Sequence, residues 1–218
     1  MLVGERMTRD PIVIRSDTPI DEAMKIMRDN KVRRLPVLNH KGALVGIVSE
    51  RDLLYASPSP ATSLSIYELH YLMSRIAVAD VMTTEVITVT EDTTLEEAAR
   101  IMADNKIGGL PVVRNGKLVG IITETDLFKI FLELLGAREM GVRLSMLVPD
   151  EKGVLAKVTS KIAELGGNIV SLGTFLGEDP TNALLTIKVQ DVEEEDLVEV
   201  MEPLAMDMVD VRTCEECR

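Results

Sequence analysis

A chain of 218 residues is long enough for two or three small domains. Hydrophobic residues make up 46% of it, but aromatics only 3%, with no Trp, so any core must be built from Ile, Val, Leu, Met and Ala. A formal charge of -12 argues against nucleic acid as a bulk partner, because phosphate binding needs clustered cations; local spots such as Arg33-Arg34 remain available to anions. No apolar stretch approaches the roughly 20 residues that span a bilayer, and the N-terminus has no signal-peptide core. The two Cys, both at the C-terminus, give no disulfide framework. The expectation is a cytoplasmic protein without a nucleic-acid or membrane partner.

Residues 7–53 and 82–127 align with a single gap, at Lys41, and about half of the aligned positions are identical, so this part of the chain is a duplication. Each copy opens on a β-rich run, Ile12-Val13-Ile14 or Ile87-Thr88-Val89. Asp17-Thr18 and Asp92-Thr93 offer N-cap side chains before helical patterns. Ala23, Ile26 and Met27 in one copy, and Ala98, Ile101 and Met102 in the other, mark the apolar face. Leu35-Pro36-Val37 and Leu110-Pro111-Val112 open a second strand. A turn follows, Asn39-His40-Lys41-Gly42 or Arg114-Asn115-Gly116, then a third strand over 44–48 or 118–122. A helix starts at Ser49 or Thr123. The predicted order is β-α-β-β-α, twice. Between the copies a Ser-Pro-Ser-Pro-Ala breaker precedes a predicted linker helix over 65–76, with Ile66, Leu69, Leu72, Met73 and Ile76 along one stripe. The predicted boundaries are 1–56 for the first repeat, 57–76 for the linker and 77–135 for the second repeat.

The recurring Leu-Pro-Val core, the ends Gly-Ile-Val-Ser-Glu-Arg-Asp and Gly-Ile-Ile-Thr-Glu-Thr-Asp, and the pairing itself resemble the CBS domain family over about residues 1–135. The resemblance implies a pseudo-symmetric pair whose cleft binds adenosine-containing ligands such as AMP, ADP, ATP or S-adenosylmethionine as regulatory ligands, with no catalytic cofactor. It places phosphate at Ser49 and Thr123 and ribose at Asp52 and Asp126. Elementary chemistry agrees: free N–H groups at a helix start attract anions, and an Asp one turn on can accept both ribose hydroxyls. The same hydroxyls also serve as plain helix caps. Arg33-Arg34 in one copy stand where the other has Gly108-Gly109; glycine lets a flat base approach the backbone, and arginine supplies fixed charge for phosphate. Arg51 lies within the first Ser-Glu-Arg-Asp end. Ile12, Val13, Ile14, Ile87 and Thr88, with Leu35, Pro36, Leu110 and Pro111, complete the candidate nucleotide site.

From Val142 the pattern changes. Strands are predicted over 143–148, 168–172, 183–189 and 206–213, and helices over 154–165 and 192–204; Gly166-Gly167 stops the first helix. This β-α-β-β-α-β order is the ferredoxin-like pattern, and the whole chain reads as α+β, with this third domain over 141–213 and a tail at 214–218. Asp150-x-x-Gly153-Val154-Leu155, followed by Gly167-Asn168-Ile169, is similar to the ACT domain family, although Lys152 stands where its serine-sensing members usually have Pro. The similarity implies an amino-acid site at Asp150, Gly153, Val154, Leu155, Asn168 and Ile169, or a dimerisation domain without ligand. The order of the three domains resembles the bacterial acetoin utilization protein B family. An apolar strand such as 183–189 at a sheet edge would favour a homodimer.

His40 and His70 have no nucleophile paired with them in the pattern, and Cys214-Glu215-Glu216-Cys217 is a lone CxxC, half a zinc site at most. The expectation is therefore a regulatory sensor, not an enzyme and without a metal, that signals to an unidentified protein partner; the alternative is an oligomeric scaffold with no bound ligand.

Overall fold

The computed structural model describes residues 1–57 and 65–214, with the side chains of all of these except Ile66, Leu69 and His70. The chain divides into two compact units, Met1–Leu127 and Phe128–Arg218.

In the first unit a short helix α1 (Val3–Arg6) and strand β1 (Thr8–Arg9) precede the first repeat: β2 (Ile14–Arg15), α2 (Ile20–Asp29), β3 (Arg34–Leu38), β4 (Leu44–Ser49) and α3 (Glu50–Ala56). The linker helix α4 (Ile66–Met73) and a 3-10 turn (Val78–Asp80) lead to α5 (Leu95–Asn105), β5 (Gly109–Arg114), β6 (Lys117–Thr123) and α6 (Glu124–Leu134), which belongs to the second unit from Phe128 on. Two three-stranded sheets result, in the orders β2-β3-β4 and β1-β6-β5.

The predicted opening strands are shorter than expected. Only Ile14–Arg15 pairs, parallel to Val37 and Leu38, and of 87–89 only Val89 bridges, to Val112. Each run has a single strand neighbour, and in the first copy Pro11 brings no N–H to the ladder.

The repeats exchange their N-terminal segments. β1 precedes the first repeat yet pairs with β6 of the second, Thr8 opposite Ile121. Thr83 precedes the second repeat's core yet bridges Ile47 of the first, with N···O distances of 2.9 and 3.0 Å. Val78 is fully buried in the first repeat's core among Ile20, Ala23, Leu35 and Leu53. Glycine makes the crossing possible. A Cβ on Gly120 would meet the Met7 sulfur and lie 3.0 Å from the Thr8 carbonyl; one on Gly46 would meet the Met82 sulfur and lie 3.1 Å from the Thr83 carbonyl. Glu91 adds an ionic tie, pairing with both Arg9 and Arg114. In the linker, Met73 and Ile76 pack against the first core while Leu72 is exposed; residues 58–64, which include the breaker, lie outside the described residues.

The second unit continues with β7 (Gly141–Pro149), α7 (Val154–Glu164), β8 (Asn168–Leu176), β9 (Asn182–Gln190), α8 (Glu194–Met201), a 3-10 turn (Glu202–Leu204) and β10 (Asp207–Cys214). Its sheet is antiparallel throughout, in the order β10-β7-β9-β8. Leu144, Met146 and Val148 of β7, with Leu185, Ile187 and Val189 of β9, alternate onto one face and pack on Val158, Ile162, Leu197 and Met201. The alternate positions of the same strands include buried polar residues: Ser145 and Thr186 share a hydrogen bond at 2.9 Å, and buried Lys188 donates to the carbonyls of Gly136 and Glu139 at 2.9 and 2.7 Å.

One expectation fails here. The strand over 183–189 is not an edge: β9 pairs on both sides, with β7 and β8. The edges are β8, which ends in exposed Phe175 and Leu176, and β10. Every aromatic residue of the chain is exposed: Tyr55, Tyr67 and Tyr71 in the first unit, Phe128, Phe131 and Phe175 in the second.

Gly120→Val is expected to destabilise the first unit by about 1–3 kcal/mol, because Met7 and the Thr8 backbone must move. Thermal melting checks this; an unchanged midpoint would mean that β1 does not sit against β6 in solution.

Candidate functional site

The exchange brings the start of α3 next to the second repeat's loops, and a cleft of about 490 Å³ opens there. That volume lies within the range of small-molecule sites, roughly 300–1,000 Å³. From the first repeat come Arg33, Arg34, Ile47 and the segment from Ser49 to Asp52; from the second come Thr83, Glu85, Val86 and Ile87, then Lys106 to Gly109 and Pro111. Four cations (Arg33, Arg34, Arg51, Lys106) face three carboxylates (Glu50, Asp52, Glu85) in a chain whose carboxylates outnumber its Lys and Arg by 36 to 24. The local balance suits an anion.

Ser49 caps α3. Its Oγ accepts the Asp52 N–H at 3.3 Å, and Asp52 Oδ2 accepts both the Ser49 N–H, at 2.8 Å, and the Ser49 hydroxyl, at 2.7 Å. Thr123 and Asp126 repeat this arrangement at the start of α6, with the Thr123 N–H and hydroxyl donating to Asp126 Oδ2 at 3.0 and 2.8 Å. The Ser49 hydroxyl thus realises the capping role, and both copies tie the first residue's N–H and hydroxyl to the Asp. At Asp52 this tie uses one carboxylate oxygen; at the helix start the Glu50 N–H donates to the Arg33 carbonyl at 2.9 Å and the Asp52 N–H to the Ser49 Oγ.

Arg34 leans across to the second repeat. Its guanidinium lies 3.6 Å from Glu124 and crowds the place where a Cβ on Gly108 would stand. Burial pulls its pKa below the ordinary guanidinium value and the Glu124 carboxylate opposes that pull, but an arginine stays protonated near neutrality. With side chains 22% and 50% exposed, such a pair contributes under about 1 kcal/mol, so an anionic ligand can draw Arg34 away at small cost. Arg33 donates to Thr125 at 3.5 Å. Arg51 donates to the Tyr55 hydroxyl at 2.9 Å, with its guanidinium 5.2 Å from the ring centroid.

Of the residues expected at a nucleotide site, the cleft gathers Arg33, Arg34, Ser49, Arg51, Asp52, Ile87, Gly108, Gly109 and Pro111. Leu35, Pro36, Leu110 and Ile14 are instead buried in the repeat cores. Ile12 and Val13 are exposed away from this cleft, and Thr88, Thr123 and Asp126 do not line it. The reasoning from sequence missed Ile47, Glu50, Thr83, Glu85, Val86, Lys106 and Ile107. Lys106-Ile107 adjoin the glycines directly. Thr83 carried a signal as well: Met-Thr opens both aligned copies, at Met7-Thr8 and Met82-Thr83, and both pairs belong to the exchanged segments.

In the second unit, Gly153 (φ 92) precedes α7, Leu155 is exposed, and Asn168 reaches Gln190 at 3.4 Å. Val154 and Ile169 pack against the core, while the Asp150 N–H donates to the Thr181 carbonyl at 2.8 Å. Cys214 ends β10 as a free thiol; Cys217 lies outside the described residues, as does the side chain of His70. His40 sits in the β3–β4 turn, 3.0 Å from Arg15. No group of three or more potential metal ligands occurs among the described residues, and no helix among them is long and apolar enough to cross a membrane.

Paired β-α-β-β-α repeats with exchanged N-terminal segments and a cleft at the helix starts define a tandem-repeat module, here followed by a ferredoxin-like domain. The CBS domain family matches residues 3–59 and 78–133, and the AHAS small subunit-like ACT domain matches 144–211. The chain belongs to the CBS domain family, with two tandem CBS domains and a C-terminal ACT-like domain. A CBS domain-containing protein of Dictyostelium discoideum is 32% identical over 136 residues, which cover 62% of this chain and 94% of that protein. Among solved structures, an acetoin utilization protein (AcuB) of Vibrio cholerae is 34% identical with a TM-score of 0.52, covering 64% of this chain and 96% of that one. The CBS domain pair of protein MJ0100, in complex with 5'-methylthioadenosine and S-adenosyl-L-methionine, is 30% identical with a TM-score of 0.51, covering 60% and 95%.

Proposed function

We propose that this protein is a regulatory sensor, not an enzyme, that binds an adenosine-containing ligand in the cleft at the start of α3. The observation that carries the reading is that Ser49, Asp52, Arg33, Arg34, Gly108 and Gly109 line one cleft although they come from both repeats. The adenosyl ligands of the MJ0100 pair support it. In this reading the base lies against the Gly108-Gly109 backbone once Arg34 is drawn away, the Asp52 carboxylate accepts the ribose hydroxyls, and Arg33, Arg34 and Arg51 hold phosphate. Four cations in the cleft favour phosphorylated adenosines over those with a neutral or cationic tail. Ligand binding changes the contacts of Arg34 with Glu124 at the start of α6, which gives the site a physical output.

The second unit fits an amino-acid site around Asp150, Gly153, Leu155 and Asn168 and a role in self-association. The likeness to the Vibrio cholerae protein supports acetoin utilization as the metabolism on which the sensor reports, acting in the cytoplasm through a protein partner. Self-association has its own support in the exposed Phe128, Phe131, Phe175 and Leu176, since aromatics concentrate in the cores of interfaces.

Three outcomes are expected. AMP, ADP, ATP or S-adenosylmethionine at 100 times its Kd is expected to stabilise the first unit by about 2.7 kcal/mol, read as a rise in melting temperature. Asp52→Ala is expected to weaken that ligand about tenfold or more. No shift with any of the four removes the sensor reading and leaves the scaffold. Light scattering at micromolar concentration is expected to give twice the mass of one chain; the mass of a single chain refutes the homodimer.

A further inference from the structure

We propose that the ligand carries a phosphate chain, and that its outer phosphates occupy a basic annex formed by Arg28, Lys31 and Arg33 beside the cleft. The inference rests on the adenosyl reading and adds a subsite to it. The annex is a hollow of about 380 Å³ over an apolar floor of Met24, Met27 and Val32. Arg33 and Glu50 line both it and the cleft, so the two hollows lie on the same side chains. Three cations border it against the single carboxylate of Glu50. Among the described residues, neither Arg28 nor Lys31 forms an ion pair through its side chain.

The duplication supplies an internal control. In the alignment, Arg28, Arg33, Arg34 and Arg51 of the first repeat correspond to Ala103, Gly108, Gly109 and Thr125 of the second. Lys31 corresponds to Lys106, and both adopt a left-handed backbone, with φ of 55 and 54, just past a helix. The shared lysine therefore belongs to the turn that both repeats build. The four arginines do not belong to anything that both repeats build. Arg28 lies in the last turn of α2, where a cation complements the helix dipole, yet α5 ends with no basic residue in its last turn. The same β-α-β-β-α frame forms without these charges, so the frame does not require them. All four border the cleft or the annex, on a chain of net charge -12. Cations gathered in excess of structural need, along two hollows that share the Arg33 side chain, fit a chain of phosphates that runs from Arg34 and Arg51 past Arg33 to Arg28.

Calorimetric titration of the full chain with AMP, ATP and inorganic tripolyphosphate tests this, using the wild type and the Arg28→Ala/Lys31→Ala double variant. Both side chains are exposed, and melting of the variant confirms its fold. The wild type is expected to bind ATP at least about tenfold more tightly than AMP. The variant is expected to lose that preference and to bind tripolyphosphate more weakly, with AMP affinity within about twofold. Equal wild-type affinities for AMP and ATP, an ATP preference that survives in the variant, or an equal loss for both nucleotides overturns the annex. If tripolyphosphate binding depends on Arg28 and Lys31 while neither nucleotide binds, the annex stands and the adenosyl reading falls.

Discussion

The exchange of N-terminal segments between the repeats is the constraint on which the first unit depends. Neither repeat completes its own sheet: β1 is supplied to β6 from ahead of the first repeat, and Thr83 is supplied to β4 from ahead of the second. The contact requires a missing side chain, and each repeat provides it with a glycine in its third strand, Gly46 or Gly120, under a methionine sulfur. Because Thr83, Glu85, Val86 and Ile87 are carried across by this exchange, they form one wall of a cleft whose opposite wall is the start of α3. The cleft is therefore a product of association between repeats, and a single repeat would lack half of it.

Within that symmetric frame, electrostatics breaks the symmetry. Ser49 with Asp52, and Thr123 with Asp126, make the same N–H and hydroxyl bonds to the carboxylate at similar distances, so the two helix starts are alike in this respect. What surrounds them is not. The arginines at 33 and 34 reach toward Thr125 and Glu124, and the glycines at 108 and 109 leave the room that the Arg34 side chain fills. The two copies therefore contribute different side chains to one cleft. Arg34 is held only by a half-exposed ion pair, and a residue so weakly committed suits a sensor, whose ligand must change contacts rather than merely fill space.

Much of the fold was legible because both periodicities are strong. The apolar positions Ala23, Met27, Ala98 and Met102 are buried as their helical spacing required, and the strand alternation of 144–148 and 185–189 is the observed core pattern. The opening strands were overestimated because β-branched residues at 12–14 and 87–89 carry the propensity but have a single neighbour to pair with. The place of β9 within its sheet was not readable, since alternation tells which residues face the core and not how many neighbours a strand has. At the site, Ser49, Asp52 and the residues before each Leu-Pro-Val were readable as local motifs. Thr83 and Glu85 were not, because they join the cleft by crossing to the other repeat, a long-range pairing that no local pattern encodes.

The central claim, that an adenosyl ligand lies between α3 and the second repeat's glycines, is tested most directly by photo-crosslinking with 8-azido-ATP and peptide mapping. The account expects label on residues 83–87 or 106–111, abolished by excess unlabelled ATP and reduced in Asp52→Ala. Label confined to residues 128–214, or label that survives both competitions, would contradict it.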